Sequence, residues 1–171
     1  MPSVPEFSEL LADCRSSAVH LEMRDSYGVT DEAENFALFL RTGERREPPE
    51  YWDGWIALVA GAVARGVTVR RARIVSEPVT DYIRYEYAGT PVNLKAGEEV
   101  RWLPRRQASD IALPGNDFWL FDDRLVRFNH FSGDGAWVEP SHTDAPAIAK
   151  LCADAFAAVW ERAIPHAEFT V

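Results

Sequence analysis

A chain of 171 residues and 19.2 kDa has the length of one compact domain. With 47% hydrophobic, 12% aromatic and 26% charged residues it has material for a substantial core, which excludes an intrinsically disordered chain. Eighteen basic against 27 acidic side chains leave a formal charge of −9. Nucleic-acid affinity comes largely from Lys and Arg on phosphates, so this balance disfavours direct generic nucleic-acid binding.

Residues 1–11 contain Pro2, Pro5, Glu6 and Glu9 in place of the positive and apolar regions of a secretory signal. No apolar run is long enough to span a bilayer, so a cytoplasmic protein without a membrane partner is expected. Cys14 and Cys152 read as small buried thiols of a reduced compartment. Sixteen arginines against two lysines suggest a GC-rich genome.

In chain order, residues 7–14 place Phe7, Leu10, Leu11 and Cys14 on one face of a short helix. Val19, Leu21 and Met23 alternate with His20, Glu22 and Arg24, which predicts a strand, and residues 25–28 a turn. Thr30 then caps a helix with Asp31, Glu32 and Glu34 in its first turn, Phe36, Phe39 and Leu40 as its buried stripe, and Gly43 at its end. Residues 44–50, charged and ending in Pro48 and Pro49, form an exposed connection. From 51 to 65, Trp52, Trp55, Ile56, Val59 and Val63 recur at helical spacing, and Gly66 supplies the stop.

Residues 67–75 are rich in β-branched side chains and predict a strand. A helix follows through Val79, Tyr82, Ile83 and Tyr87, with Pro78 in its first turn and Gly89-Thr90-Pro91 breaking it. Residues 98–103 predict a second strand. Residues 118–121 and 125–131 flank Asp122-Asp123-Arg124 as a hairpin, and because both faces of 118–121 are apolar, that strand is central. A turn over 132–135 precedes Trp137 and Val138. The last helix is capped by Thr143, carries Pro146 in its first turn and ends at Pro165. Its stripe is Ile148, Leu151, Cys152, Phe156, Val159, Trp160 and Ala163. The fold class is α/β, with α+β as the variant: a mixed sheet built from 67–139, covered by the 51–65 and 144–164 helices. It forms one domain over 1–171, in which 1–50 is a helical segment and 51–171 the α/β core.

Charge is unevenly spread. Residues 65–106 carry nine basic and five acidic side chains, inside a chain that is acidic on both sides. Arg70, Arg71 and Arg73 on one predicted strand, with Arg101, Arg105 and Arg106 on or just after the next, form a positive stripe, and Tyr82 and Arg84 extend it. The stripe has two readings. It receives an acidic protein segment or a small anionic ligand, or it pairs internally with Glu77, Glu86, Glu98 and Glu99.

No reaction motif is present. The four histidines are scattered and the cysteines lie 138 positions apart, so no metal site is expected, and neither GxxxxGK[ST], GxGxxG nor GxSxG occurs, so no cofactor is implied. His130, at a strand end, and the pair Asp122 and Asp123 are the candidates for acid–base or phosphoester chemistry. Each also has a structural reading, as a half-buried ring and as turn chemistry.

Three stretches, VRRARIVSEPVTDYIRYEY, NLKAGEEVRWLPR and DFWLFDDRLVRFNHF, together with HLEMRDSYGVTDEAENFALFL, resemble an actinobacterial family numbered 6879 among domains of unknown function, over nearly the whole chain. Members lie near helix-turn-helix regulators and small partner proteins, so the resemblance implies a regulatory or protein-interaction role, with a transcriptional regulator as partner. The run NDFWLFDD is similar in spacing to the HxKxxxxD motif of phospholipase D-like proteins. Asn116 stands in place of its nucleophilic His and Phe118 in place of its Lys, while Asp123 matches, so that resemblance implies a catalytically empty half of that architecture.

The expected function is therefore a non-catalytic regulatory or interaction module, with Arg70, Arg71, Arg73, Tyr82, Arg84, Arg101 and Arg105 as its binding surface. The alternatives are a small-molecule or phosphoester enzyme or ligand sensor using His130 with Asp122 or Asp123, and an acidic, antitoxin-like decoy covering a basic partner with residues 1–64.

Overall fold

The computed structural model describes residues 6–28 and 32–171. Helix α1 (Phe7–Asp13) leads into strand β1 (Ser17–Glu22), followed by α2 (Ala33–Thr42), a 3-10 turn (Pro49–Trp52) and α3 (Asp53–Ala64). Then come β2 (Thr68–Val75), α4 (Asp81–Lys95), β3 (Glu99–Pro104), β4 (Phe118–Phe121), β5 (Leu125–Phe131), β6 (Trp137–Thr143), α5 (Pro146–Arg162) and the two-residue β7 (Ile164–Pro165). All strands join one mixed sheet in the order β6-β5-β4-β1-β2-β3-β7, which is the α/β architecture expected. β1, β2 and β3 run parallel, because helical crossovers join them, and β4 adds antiparallel to β1 through the predicted hairpin with β5.

The sheet is not confined to residues 67–139. β1 lies in its centre, between β4 and β2, so residues 1–50 contribute a core strand and not only helices. Strand alternation explains this placement. Val19 and Leu21 point to one face with Ala72, Ile74, Phe118, Leu120 and Val126, where α5 closes a continuous apolar layer. Each fully buried side chain of that size contributes about 1.5–3 kcal/mol.

The opposite face is divided. Ala18, Val69, Trp119 and Phe121 pack under α1 and α3, while Val75, Val100 and Trp102 pack with α4's Ile83 and with Phe169 from the C-terminal residues. Between these two clusters runs a strip of polar side chains, His20 and Glu22 from β1 and Arg71 and Arg73 from β2.

Several local expectations are corrected. α2 has no buried residue: Leu40 is 54% exposed, and Phe36 and Phe39 lean only on Tyr82 and Tyr85. The expected cap at Thr30, with Asp31, falls outside the described residues. The 44–50 connection is not wholly exposed, since Arg45 tucks under the protein to pair with Glu47 at 2.6 Å. α4 starts at the Thr80 cap, beyond Pro78, and continues through Gly89-Thr90-Pro91. Thr90 there is fully buried, giving its hydroxyl to Glu86 O and accepting from Arg73, so tertiary contacts offset the one helical hydrogen bond that Pro91 cannot make. On α5 the buried stripe is Ala149, Cys152, Ala155, Phe156 and Val159, whereas Ile148 and Leu151 face outward. Ala145, not Thr143, is the N-cap residue, with Thr143 Oγ1 accepting from the Ala145 amide at 3.2 Å. Cys14 and Cys152 are free and buried.

Candidate functional site

A cavity of about 330 Å³ opens above the polar strip, roofed by α3, α4 and the start of α2. Two rows of side chains cross its floor. Arg127, Trp119, His20 and Arg71 stand side by side on β5, β4, β1 and β2, and the next row carries Asn129, Glu22 and Arg73, with Asp117 just ahead of β4. Parallel strands here are covered on both faces, so polar residues in phase on β1 and β2 are driven into a covered site instead of toward solvent.

Charge in the floor is organised around Glu22. It accepts from Arg71 at 2.7 Å and from the Arg73 Nε. Arg73 also reaches Glu86 at 2.7 Å, and Arg71 reaches the buried Glu98 at 2.7 Å. Burial pushes the Glu22 carboxyl upward, but Arg73 and Arg71 outweigh it and hold the group well below the usual carboxylate range. Burial likewise opposes charge on Arg71, and Glu98 and Glu22 more than restore it.

His20 behaves differently. The ring is buried and stacked on Trp119 at 4.3 Å, and burial lowers its pKa far enough to keep it neutral. Its Nδ1 stands 3.7 Å from Glu22, beyond hydrogen-bond reach, and neither nitrogen has a partner among the described residues. Three more partnerless buried atoms belong to the same lining: Trp55 Nε1, Arg127 Nε and Asn129 Oδ1. Burial depresses the Arg127 pKa, and its guanidinium rests over the Phe7 and Trp137 rings with no carboxylate within 4.0 Å among the described residues.

On one wall Tyr27 donates to Asp117, which also accepts from the Met23 amide at 2.9 Å. Burial raises the Asp117 pKa to about 6 even though the Tyr27 hydrogen bond lowers it. A carboxyl raised on folding makes the folded state bind protons more tightly than the unfolded chain, so stability is lost as pH rises from about 4 to about 6. We expect the unfolding free energy of the wild type, measured relative to Asp117→Asn by urea titration, to fall by roughly 2 kcal/mol across that window. A flat difference between pH 4 and 7 contradicts the assignment.

The residues singled out in the sequence are distributed as follows. Alternation splits the arginine stripe: Arg71 and Arg73 face the cavity, while Arg70 and Arg101 lie on the α5 side over Trp160. Arg70 pairs with Glu99, Arg71 with Glu98, Arg73 with Glu86, and Arg106 with Glu77. Arg105 ties Ser76, Asp25 and the Met23 and Ile74 carbonyls together, and Arg84 is exposed beside Asp81. Tyr82 lines the cavity and donates to Glu32 at 2.9 Å. His130 bonds Ser141 Oγ at 2.7 Å, at the far end of β5 from Asp122 and Asp123. Five strand steps, about 17 Å, separate it from Leu125, and Asp122 and Asp123 lie in the turn beyond, so the three do not converge on one site. Asp122 and Asp123 adopt positive φ as the hairpin turn. Phe118 is buried under α5, away from Asp123 across the length of β4.

Sequence reasoning passed over His20, Glu22, Tyr27, Trp119, Arg127 and Asn129 as site residues. The available signal was the shared phase of His20 and Glu22 with Arg71 and Arg73 on strands that a helical crossover makes parallel.

Fold and site together define an α/β domain with a partly open, polar-floored and aromatic-walled pocket. The chain belongs to the family described as Domain of unknown function (DUF6879), whose model matches residues 5–171. No curated protein matches the chain. Among solved structures it is similar to TrmBL2, described as an archaeal chromatin protein with a novel mode of DNA binding, at 13% identity and a TM-score of 0.48, covering 91% of this chain. The chain spans 47% of that protein's chain. At this identity and score the likeness assigns no function. The expectation that direct generic nucleic-acid binding is disfavoured stands against this neighbour and is withdrawn: it rested on net charge, a whole-chain sum, whereas nucleic-acid contact depends on local surface. Among the described residues no helix is long and apolar enough to cross a membrane.

Proposed function

We propose that this chain is a non-catalytic, small-molecule-binding module with a regulatory role, its ligand held over His20 and Trp119. The observation that carries this reading is the convergence of partnerless polar atoms, from His20, Trp55, Arg127 and Asn129, on one cavity. Each such buried atom costs about 1–3 kcal/mol, a cost that a polar ligand recovers. The ligand-sensor alternative drawn from the sequence is thus retained, but on different residues. The internal ion pairs of Arg70, Arg71 and Arg73 favour the pocket over the arginine stripe as the binding surface.

The test combines stability and binding. His20→Phe keeps the ring on Trp119 and removes two unsatisfied nitrogens, so the ligand-free variant gains about 1–2 kcal/mol in urea denaturation. Thermal-shift screening of a metabolite library against the wild type then identifies a stabilising compound, which at about 100 Kd adds roughly 2.7 kcal/mol and has a much smaller effect on His20→Phe. A compound that stabilises both proteins equally, together with no gain from the substitution, argues against a ligand in this cavity.

A further inference from the structure

The cavity is electrically lopsided. Where α2 and α4 roof it, five carboxylates (Glu22, Glu32, Glu47, Glu86 and Glu98) surround three guanidiniums, Arg45, Arg71 and Arg73. The pairing leaves Glu32 over. Its one hydrogen bond is the Tyr82 hydroxyl at 2.9 Å, no cation among the described residues lies within 4.0 Å of it, and burial followed by Glu86 raises its pKa. At the β5 end the cations are the groups without a close partner, with Glu6 acting on Arg127 and Asp117 on Arg24 only at longer range. Neither Arg127 nor Arg24 has a carboxylate within 4.0 Å among the described residues, and both keep a buried Nε without an acceptor. Their neighbours are rings: Arg24 over Phe131, Arg127 over Phe7 and Trp137. Ring faces attract a guanidinium by about 0.5–2 kcal/mol, well short of neutralising it.

Arg127 and Glu32 line the same cavity, Arg127 on its floor and Glu32 at the start of α2. Arg127 is three strand positions from Arg71 in the same row, through Trp119 and His20, and strands lie about 4.8 Å apart, so the backbones are about 14 Å apart. A cavity of about 330 Å³ has room for a small molecule. Between the charged ends stand the Trp119 and Tyr27 rings, with the neutral His20 as donor and acceptor.

We infer that the pocket takes a small bipolar molecule, with an acidic group against Arg127, a cationic group against Glu32, and a flat body beside the stacked His20 and Trp119 rings and Tyr27. This rests on the cavity being a ligand site. It adds the ligand's chemical class and orientation.

Four para-substituted benzenes of matched shape separate the terms: 4-(2-aminoethyl)benzoate, 4-ethylbenzoate, 2-(4-methylphenyl)ethylamine and 4-ethyltoluene. Ligand-observed NMR titration of the full chain gives their relative affinities. The bipolar probe is expected to bind at least about ten-fold more tightly than either singly charged probe. Arg127→Met should reduce it to the level of the amine, and Glu32→Gln to the level of the acid, while Arg127→Lys retains part of the preference. Both variants are checked by circular dichroism and melting, and Arg127→Lys guards against a Met variant that fails to fold. Equal binding of all four probes, or a preference that survives Arg127→Met, overturns the bipolar ligand and leaves the ligand site standing. Failure of every probe to bind at about millimolar concentration overturns both.

Discussion

Glu22→Gln should be the most damaging single change in the pocket floor, lowering the unfolding free energy by about 3–5 kcal/mol. Glu22 is the shared counter-charge of Arg71 and Arg73, whose side chains are almost wholly buried. Removing it leaves two guanidiniums in a low-dielectric interior, with Glu98 and Glu86 as their remaining carboxylates. The amide keeps the shape, so the loss measures charge and not packing. Urea denaturation at neutral pH gives the magnitude, and its pH dependence gives the cause. Because the folded pKa of Glu22 lies below its ordinary value of 4.5, its stabilisation is complete above that value and is lost as pH falls through the folded pKa. Wild type and Glu22→Gln should therefore converge in stability in acid. A companion variant that replaces the whole cluster, Glu22→Leu with Arg71→Met, Arg73→Met, Glu86→Gln and Glu98→Gln, should recover much of the loss, since apolar or neutral replacement of a whole buried ion cluster is often neutral or stabilising. A loss below about 1 kcal/mol for Glu22→Gln would place the cluster in the class of solvated surface pairs.

The second large effect is expected at Asp122, and it concerns folding instead of chemistry. One carboxylate accepts from the Arg15, Ser16 and Ser17 amides and from the Ser16 hydroxyl, and it also meets the Cys14 thiol at 3.3 Å. It thereby ties the β4–β5 turn to the start of β1 and helps set the register of the central strand. Burial raises its pKa, but the Ser16, Ser17 and Arg15 hydrogen bonds outweigh this and leave it well below the ordinary range. Asp122→Ala should cost about 2–4 kcal/mol, from the orphaned donors together with the strain of a non-glycine residue at φ 52°. Asn tolerates that conformation and retains one acceptor, so Asp122→Asn should lose about half as much. Ligand binding in the pocket should be unchanged in Asp122→Asn. The same residue also acts on Cys14, whose pKa is raised to about 11 by burial and by Asp122, so the thiol stays protonated and unreactive.

Much of the architecture was legible in the chain because it depends on local periodicity. The 3.6-residue spacing of Trp55, Val59 and Val63 with the Gly66 stop, the period-two pattern of Val19 and Leu21, and the Asp-Asp turn between two apolar runs each specify an element without reference to distant residues. The misreadings follow from the same limit. Gly89-Thr90-Pro91 has the local signature of a break, yet burial of Thr90 against Arg73 carries α4 through it. Leu40, Ile148 and Leu151 satisfy a helical stripe, but no neighbouring element covers them.

For the site the division is sharper. Composition alone concentrates arginines and glutamates between residues 65 and 106, and one of the two readings of that stripe named Glu77, Glu86, Glu98 and Glu99 as internal partners, without Glu22, the acid that Arg71 and Arg73 share. The sequence by itself also determined an aromatic-rich chain with an α/β order of elements. Only the tertiary structure decided that strand alternation sends Arg71 and Arg73 inward and Arg70 and Arg101 to the α5 face. The same holds for placing β1 between β4 and β2, which brings His20 and Glu22 beside them. Which polar atoms find partners is a property of side chains brought together from four strands, and no spacing along the chain encodes it. That is why His130, Asp122 and Asp123 stood out in the sequence, and why the partnerless groups of His20, Arg127 and Asn129 emerge only when the sheet is assembled.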